Sequence, residues 1–148
     1  MYVGLLHAHS GLRYVVLFLM IAVLAKSLDG WLQRKPFTGL DDKLSLFFFI
    51  SVHLQLLVGL ILYFVSPRVR FDGLSDPMSR YWTVEHISLN LLAVVLFTLA
   101  RTRGKKMPLP EGKHRILFVF TALGTAVLLY SLIGFEYAPG LVSSSMGK

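Results

Sequence analysis

The sequence predicts an all-α integral membrane protein, a four-helix up-and-down bundle with both termini on the non-cytoplasmic side. Three observations predict it. Hydrophobic residues fill 55% of the 148 positions and charged residues only 16%, and mean hydropathy is +0.64, outside the balance that soluble domains keep. The apolar residues gather in four long blocks. The basic residues concentrate in alternate connections between those blocks.

The first block, residues 5–25, is long enough to span, since a bilayer core of about 30 Å needs about 20 helical residues. No Lys or Arg precedes it and no small-residue cleavage site follows it, so it reads as a retained helix and not a secretory signal. The connection 26–43 carries Lys26, Arg34, Lys35 and Lys43 and is assigned to the cytoplasm. The second block, 44–65, is a non-alternating apolar run, which excludes barrel strands; its Phe47-Phe48-Phe49 run reads as packing or lipid contact. The connection 66–83 sets Arg68, Arg70 and Arg80 against Asp72 and Asp76 and faces outward. Trp31, Phe37, Tyr81 and Trp82 suit an interfacial belt.

The third block, 84–100, leads into the connection 101–115, whose Arg101, Arg103, Lys105, Lys106, Lys113 and Arg115 mark it as cytoplasmic. The fourth spans 116–135, and residues 138–148 form a short polar tail expected to be mobile. Pro67, Pro77, Pro108, Pro110 and Pro139 all fall outside the blocks. Connections of roughly 13 to 20 residues leave no room for a second domain, so residues 1–148 form one transmembrane unit. The net charge of +7 is accounted for by topology, not by a nucleic-acid partner. With no cysteine, structural disulfides, thiolate-bound clusters and thioether-attached haem are excluded.

Ionisable side chains at membrane depth cost a few kcal/mol each, so those present ask for a role. They are His7, His9 and Arg13 in the first span, His53 and Gln55 in the second, Glu85, His86 and Asn90 in the third, and His114 at the start of the fourth. Counted at 1.5 Å per residue, His9 and His86 each lie about 7 Å to the outer side of their span centres. Helices one and three of an up-and-down bundle are parallel and diagonal, so these two imidazoles can face one another as axial ligands of one iron. Arg13 and Asn90 each follow four residues later on the same helix face. Gly4, Ala8 and Gly11 leave room for a backbone or a flat ring against the first helix.

His53 lies about 3 Å to the inner side of its centre and His114 about 16 Å from its own, so the two are mismatched for a second haem. His53 is a candidate for a quinone contact, a proton relay or an alternative axial ligand. His7 and His114 read as helix-bridging or interfacial residues. Arg13 needs a partner, and Glu85 is the acidic candidate close in depth; a haem propionate or quinone oxygen is the other. Glu85 and His86, being adjacent on a helix, point about 100° apart and make poor joint ligands for zinc or another metal. Iron ligation and hydrogen-bonded helix bridging both stay open for His9 and His86.

Several stretches together, His7-Ala-His9-Ser-Gly-Leu-Arg13-Tyr14, His53-Leu-Gln55 through Gly59 to Leu62-Tyr63-Phe64, Glu85-His86 and Lys113-His114, resemble a family of small bacterial four-span membrane proteins labelled cytochrome B-like. The resemblance covers nearly the whole chain. It implies a b-type haem in a helical bundle and respiratory electron transfer in the bacterial inner membrane, with His9, His53 and His86 where such proteins place polar residues.

The leading expectation is therefore a membrane electron carrier. His9 and His86 ligate haem b between helices one and three, Arg13 and Asn90 support it, and His53 lies toward quinone or a proton path. The alternatives are a cofactor-free structural or accessory subunit of a larger membrane complex, and a proton or metal-ion conductor. Expected partners are the lipid bilayer and a respiratory complex or a second copy of the chain; a stand-alone enzyme is the lesser expectation.

Overall fold

The computed structural model describes the backbone of residues 1–137 and the side chains of residues 1–133, so the expected tail at 138–148 lies outside the described residues. Among the described residues four long helices make up the fold, α1 (Tyr2–Leu32), α2 (Gly39–Val65), α3 (Pro77–Lys106) and α4 (Pro110–Tyr137), with a short 3₁₀ turn at Phe71–Gly73. Each is long and apolar enough to cross a membrane. The helices outrun the apolar blocks. Connections shrink to residues 33–38, 66–76 and 107–109, and most of the basic residues assigned to loops sit on helical turns instead. Hydropathy marks where a helix is apolar, while hydrogen bonding and caps decide where it stops.

Those caps are legible in the chain. α1 ends where Arg34 takes a left-handed φ of 53° and Lys35 N–H donates to Gly30 O at 3.0 Å, a Schellman closure followed by Pro36. α2 begins with a capping box, in which Thr38 N–H donates to Asp41 Oδ2 at 2.8 Å and Asp41 N–H donates to Thr38 Oγ1 at 3.4 Å. α3 begins with Asp76 accepting from Ser79 N–H at 2.9 Å and Pro77 in the first turn. Within α3, Tyr81–Glu85 form one π turn, where His86 N–H donates to Tyr81 O.

α1 packs against α2 and α4, and α3 packs against α4 and less extensively against α2, which leaves α1 and α3 across the diagonal. The core joins Val16, Met20 and Val23 of α1, Phe48 and Val52 of α2, Ala93, Phe97 and Ala100 of α3, and Leu117 of α4. Phe48 and Phe97 meet edge to face with centroids 5.0 Å apart. Two hydroxyls turn back onto their own helices, Ser51 donating to Phe47 O at 2.8 Å and Thr98 to Val94 O at 2.7 Å. At Gly4 and Gly11 an added Cβ would meet nothing within 4 Å, so that stripe receives no neighbour among the described residues.

The end of the bundle that holds Leu32 and Lys106 is closed by charge. Arg101, expected in a loop, is buried in α3, where it donates to Asp42 O at 3.1 Å and to Ser45 Oγ and pairs with Asp42 Oδ1 at 3.3 Å. Lys26 pairs with Asp41 at 3.3 Å. Replacing Arg101 with Ala removes three polar contacts between α2 and α3 and leaves Ser45 Oγ buried. A loss of about 1–3 kcal/mol is expected, read as a lower midpoint in detergent–denaturant unfolding.

His114, expected at a boundary, is sealed at the same end with 1% exposure. Its ring lies on Gly30, its Nε2 is 3.3 Å from Pro36 O, and Phe37 stacks at 5.1 Å. Tyr81 is likewise inside and not in a belt, with its hydroxyl donating to Ser131 O at 3.1 Å. The π turn carries it there.

Candidate cofactor cavity between α1, α2 and α3

A cavity of about 430 Å³ opens in the half of the bundle near Tyr2 and Val65. That size lies within the range of small-molecule and cofactor sites. Its walls are mainly leucine and valine, and polar groups reach it from three helices, among them His9 and Arg13 from α1, Gln55 from α2, and His86 and Asn90 from α3, with Arg68 and Trp82 also in the lining. The two histidines thus reach one space from helices that face each other across the diagonal.

His9 is seated against α2. Gln55 Nε2 donates to His9 O at 3.1 Å and lies 3.4 Å from His9 Nε2. Gly59, four residues further along α2, makes room for the ring: a Cβ there would stand 3.0 Å from His9 Cε1. His9 Nδ1 and Gln55 Oε1 are buried without a hydrogen-bond partner. Polar atoms left this way are uncommon in folded proteins, and these two stand at the cavity, whereas His114 Nδ1 and Thr121 Oγ1 are in the same state outside its lining.

His86 stands on the turn after the π segment, flanked by Trp82 at 5.2 Å and Tyr81 at 5.7 Å between ring centroids. Tyr81 Oη is 3.5 Å and Asn90 Nδ2 is 3.4 Å from His86 Nδ1. Asn90 Nδ2 also donates to His86 O at 2.6 Å and to Ser131 Oγ at 3.2 Å, tying α3 to α4.

Arg13 lines the cavity from an exposed position and contacts Tyr14, whose ring lies 5.1 Å from the guanidinium carbon. Glu85 does not serve it. The π turn brings Glu85 back over Arg80, and the two pair at 2.9 Å. The expected Arg13–Glu85 partnership is therefore replaced by a local one.

His53 lies outside the cavity lining, with Nδ1 2.7 Å from Phe49 O, Nε2 3.4 Å from Thr98 Oγ1 and its ring 4.2 Å from Phe49. His7 is exposed. Among the described residues no three His, Cys, Asp or Glu side chains gather into a metal-binding group. Gln55, already named among the polar residues of the second span, lines the cavity with His9, and the cavity adds Gly59, Trp82 and Arg68, while Tyr81 stands beside His86 outside the lining. Gln55 and Gly59 share a helix face at a spacing of four, a signal present in the sequence; the placement of Tyr81 depends on a π turn that hydropathy does not mark.

The donor set is compatible with a haem: two imidazoles from opposed helices, apolar walls, a glycine-made recess, and guanidinium groups for carboxylates. Comparison with protein-family models, curated proteins and solved structures finds no match for the chain.

Proposed function

We propose that the protein spans a membrane four times and carries electrons through a haem b that this cavity would hold, with His9 and His86 supplying imidazole nitrogens to its iron. The observation that supports it most is the convergence of these two histidines, from diagonal helices, on one largely apolar cavity of about 430 Å³. Membrane insertion is supported by the bundle's exterior, where Phe18, Phe47 and Phe64 are among many large exposed apolar residues. The basic end with Lys26, Lys43, Arg103 and Lys105 is assigned to the cytoplasm by the positive-inside rule, which places the cavity toward the opposite face. The resemblance noted above favours the bacterial inner membrane.

When bound, a haem b supplies one-electron exchange at its iron. The chain's own residues do the rest. His9 and His86 would hold it from either side, Gln55 and Asn90 fix the two helices that carry them, and Arg13 and Arg68 offer guanidinium groups to carboxylates. The apolar walls exclude water and so set the energetics of charge in the site. Quinone is the proposed exchange partner, and His53, beside cavity-lining Val52, is the candidate for a proton path toward it.

A second reading rests on the polar bridges themselves. Gln55 to His9 joins α2 to α1, and Asn90 to Ser131 joins α3 to α4, as a cofactor-free accessory subunit of a larger complex would need.

Titrating the purified, detergent-solubilised protein with ferric haem separates the two. The electron-carrier reading expects a saturable absorption change at one haem per chain, weakened at least about tenfold in Gly59→Leu, where the recess beside His9 is filled. Linear, non-saturating uptake that Gly59→Leu leaves unchanged supports the accessory-subunit reading instead.

A further inference from the structure

Resting on that reading, we infer that Tyr81 is a positioning residue for His86, brought to it by the π turn, and that it holds the imidazole with its proton on Nδ1. On a regular α-helix, residues five apart are separated by about 140° around the axis and do not share a face. The π turn over Tyr81–Glu85 closes a hydrogen bond from His86 N–H to Tyr81 O and so stacks the two side chains, whose rings lie 5.7 Å apart. The phenol oxygen then stands 3.5 Å from His86 Nδ1.

The protons around that nitrogen can be counted. Tyr81 donates its single hydroxyl proton to Ser131 O at 3.1 Å. Asn90 uses its two amide protons on His86 O at 2.6 Å and Ser131 Oγ at 3.2 Å. What remains directed at His86 Nδ1 is a lone pair of the phenol oxygen, so the ring nitrogen donates. Its Nε2 lone pair is left for a ligand, the arrangement in which a second residue fixes a metal-binding histidine. Ser131 O, on α4, anchors the phenol and so makes the tautomer depend on α3–α4 packing.

The test is ¹⁵N NMR of the haem-free, histidine-labelled full-length chain in micelles, well above the usual imidazole pKa of about 6.5, with His86 assigned through His86→Gln. The expected result is a His86 ring protonated at Nδ1 in the parent and in Asn90→Leu, shifting toward Nε2 protonation in Tyr81→Phe. A parent His86 protonated at Nε2 overturns the inference whatever the variants do, and so does a tautomer that follows Asn90 and ignores Tyr81. In haem-loaded protein, losing the Nδ1 hydrogen bond in Tyr81→Phe should raise the midpoint potential while absorption at one haem per chain persists. If no haem binds, the electron-carrier reading fails while the tautomer measurement still decides the role of Tyr81.

Discussion

Replacing His86 with alanine should abolish the low-spin haem absorption of the loaded protein, and replacing His9 should do the same, while His53→Ala should leave the spectrum in place. His9 and His86 are the two histidines that line the cavity. Each is seated by named neighbours: Gly59 and Gln55 beside His9, and Tyr81, Trp82 and Asn90 around His86. Losing an axial ligand should weaken binding by at least about 100-fold, at or above the upper range seen when only an outer-shell partner of a ligand is removed. His53 faces Phe49 and Thr98 outside the lining, so its removal touches no wall of the cavity. Absorption spectra of the three variants after haem loading, with circular dichroism to establish that each is folded, give the comparison. An unchanged spectrum in both His9→Ala and His86→Ala contradicts the ligand assignment.

Replacing Gly30 with valine should destabilise the bundle by about 3 kcal/mol or more. A Cβ at Gly30 would fall on the ring of His114, and that ring has nowhere to go: it is 1% exposed, stacked by Phe37 and closed in by Pro36 O. Overpacking a closed site costs about 1–3 kcal/mol for extra methylenes alone, and here the added atoms meet a rigid ring between two long helices. Combining Gly30→Val with His114→Ala should recover much of the loss, because the smaller residue opens the space the new methyls fill; a double-mutant cycle of unfolding midpoints in detergent measures the coupling. Gly4→Ala and Gly11→Ala, where an added Cβ meets nothing within 4 Å, should change those midpoints by less than about 0.5 kcal/mol.

The contrast among these glycines shows what the sequence could carry. Four apolar blocks without proline were enough to predict four helices, because at this length no other element keeps its backbone satisfied. That His9 and His86 could reach one space was open to reading too, since a constant rise converts sequence position into height along an axis, and both line the cavity. Rotation about the axis was not. Gly4, Gly11 and Gly30 all lie in α1, yet among the described residues only Gly30 meets another helix, and nothing in one helix states which face its neighbours occupy. His114 read as an interfacial residue because the apolar run begins at Ile116, whereas the helix begins at Pro110 and buries the ring against α1.

The π turn is the second source of divergence. Adding one residue to a turn rotates everything before it by about 100°, so Glu85 meets Arg80 instead of Arg13, and Tyr81 moves from an expected belt into contact with His86. Arg101 shows the same limit for charge. Counting basic residues between apolar blocks placed it in a loop, but its guanidinium reaches Asp42 and Ser45 from inside the bundle, where it ties α3 to the start of α2.

In the proposed function this chain holds a haem between His9 and His86. A dithionite-reduced minus air-oxidised absorption spectrum of the purified protein, expressed with adequate haem supply and paired with a pyridine haemochrome assay, tests it most directly. A sharp α-band with about one haem b per chain is the expected result for a bis-histidine site. Colourless protein that also takes up no haem on titration contradicts the claim and leaves the polar bridges between helices as structural ties.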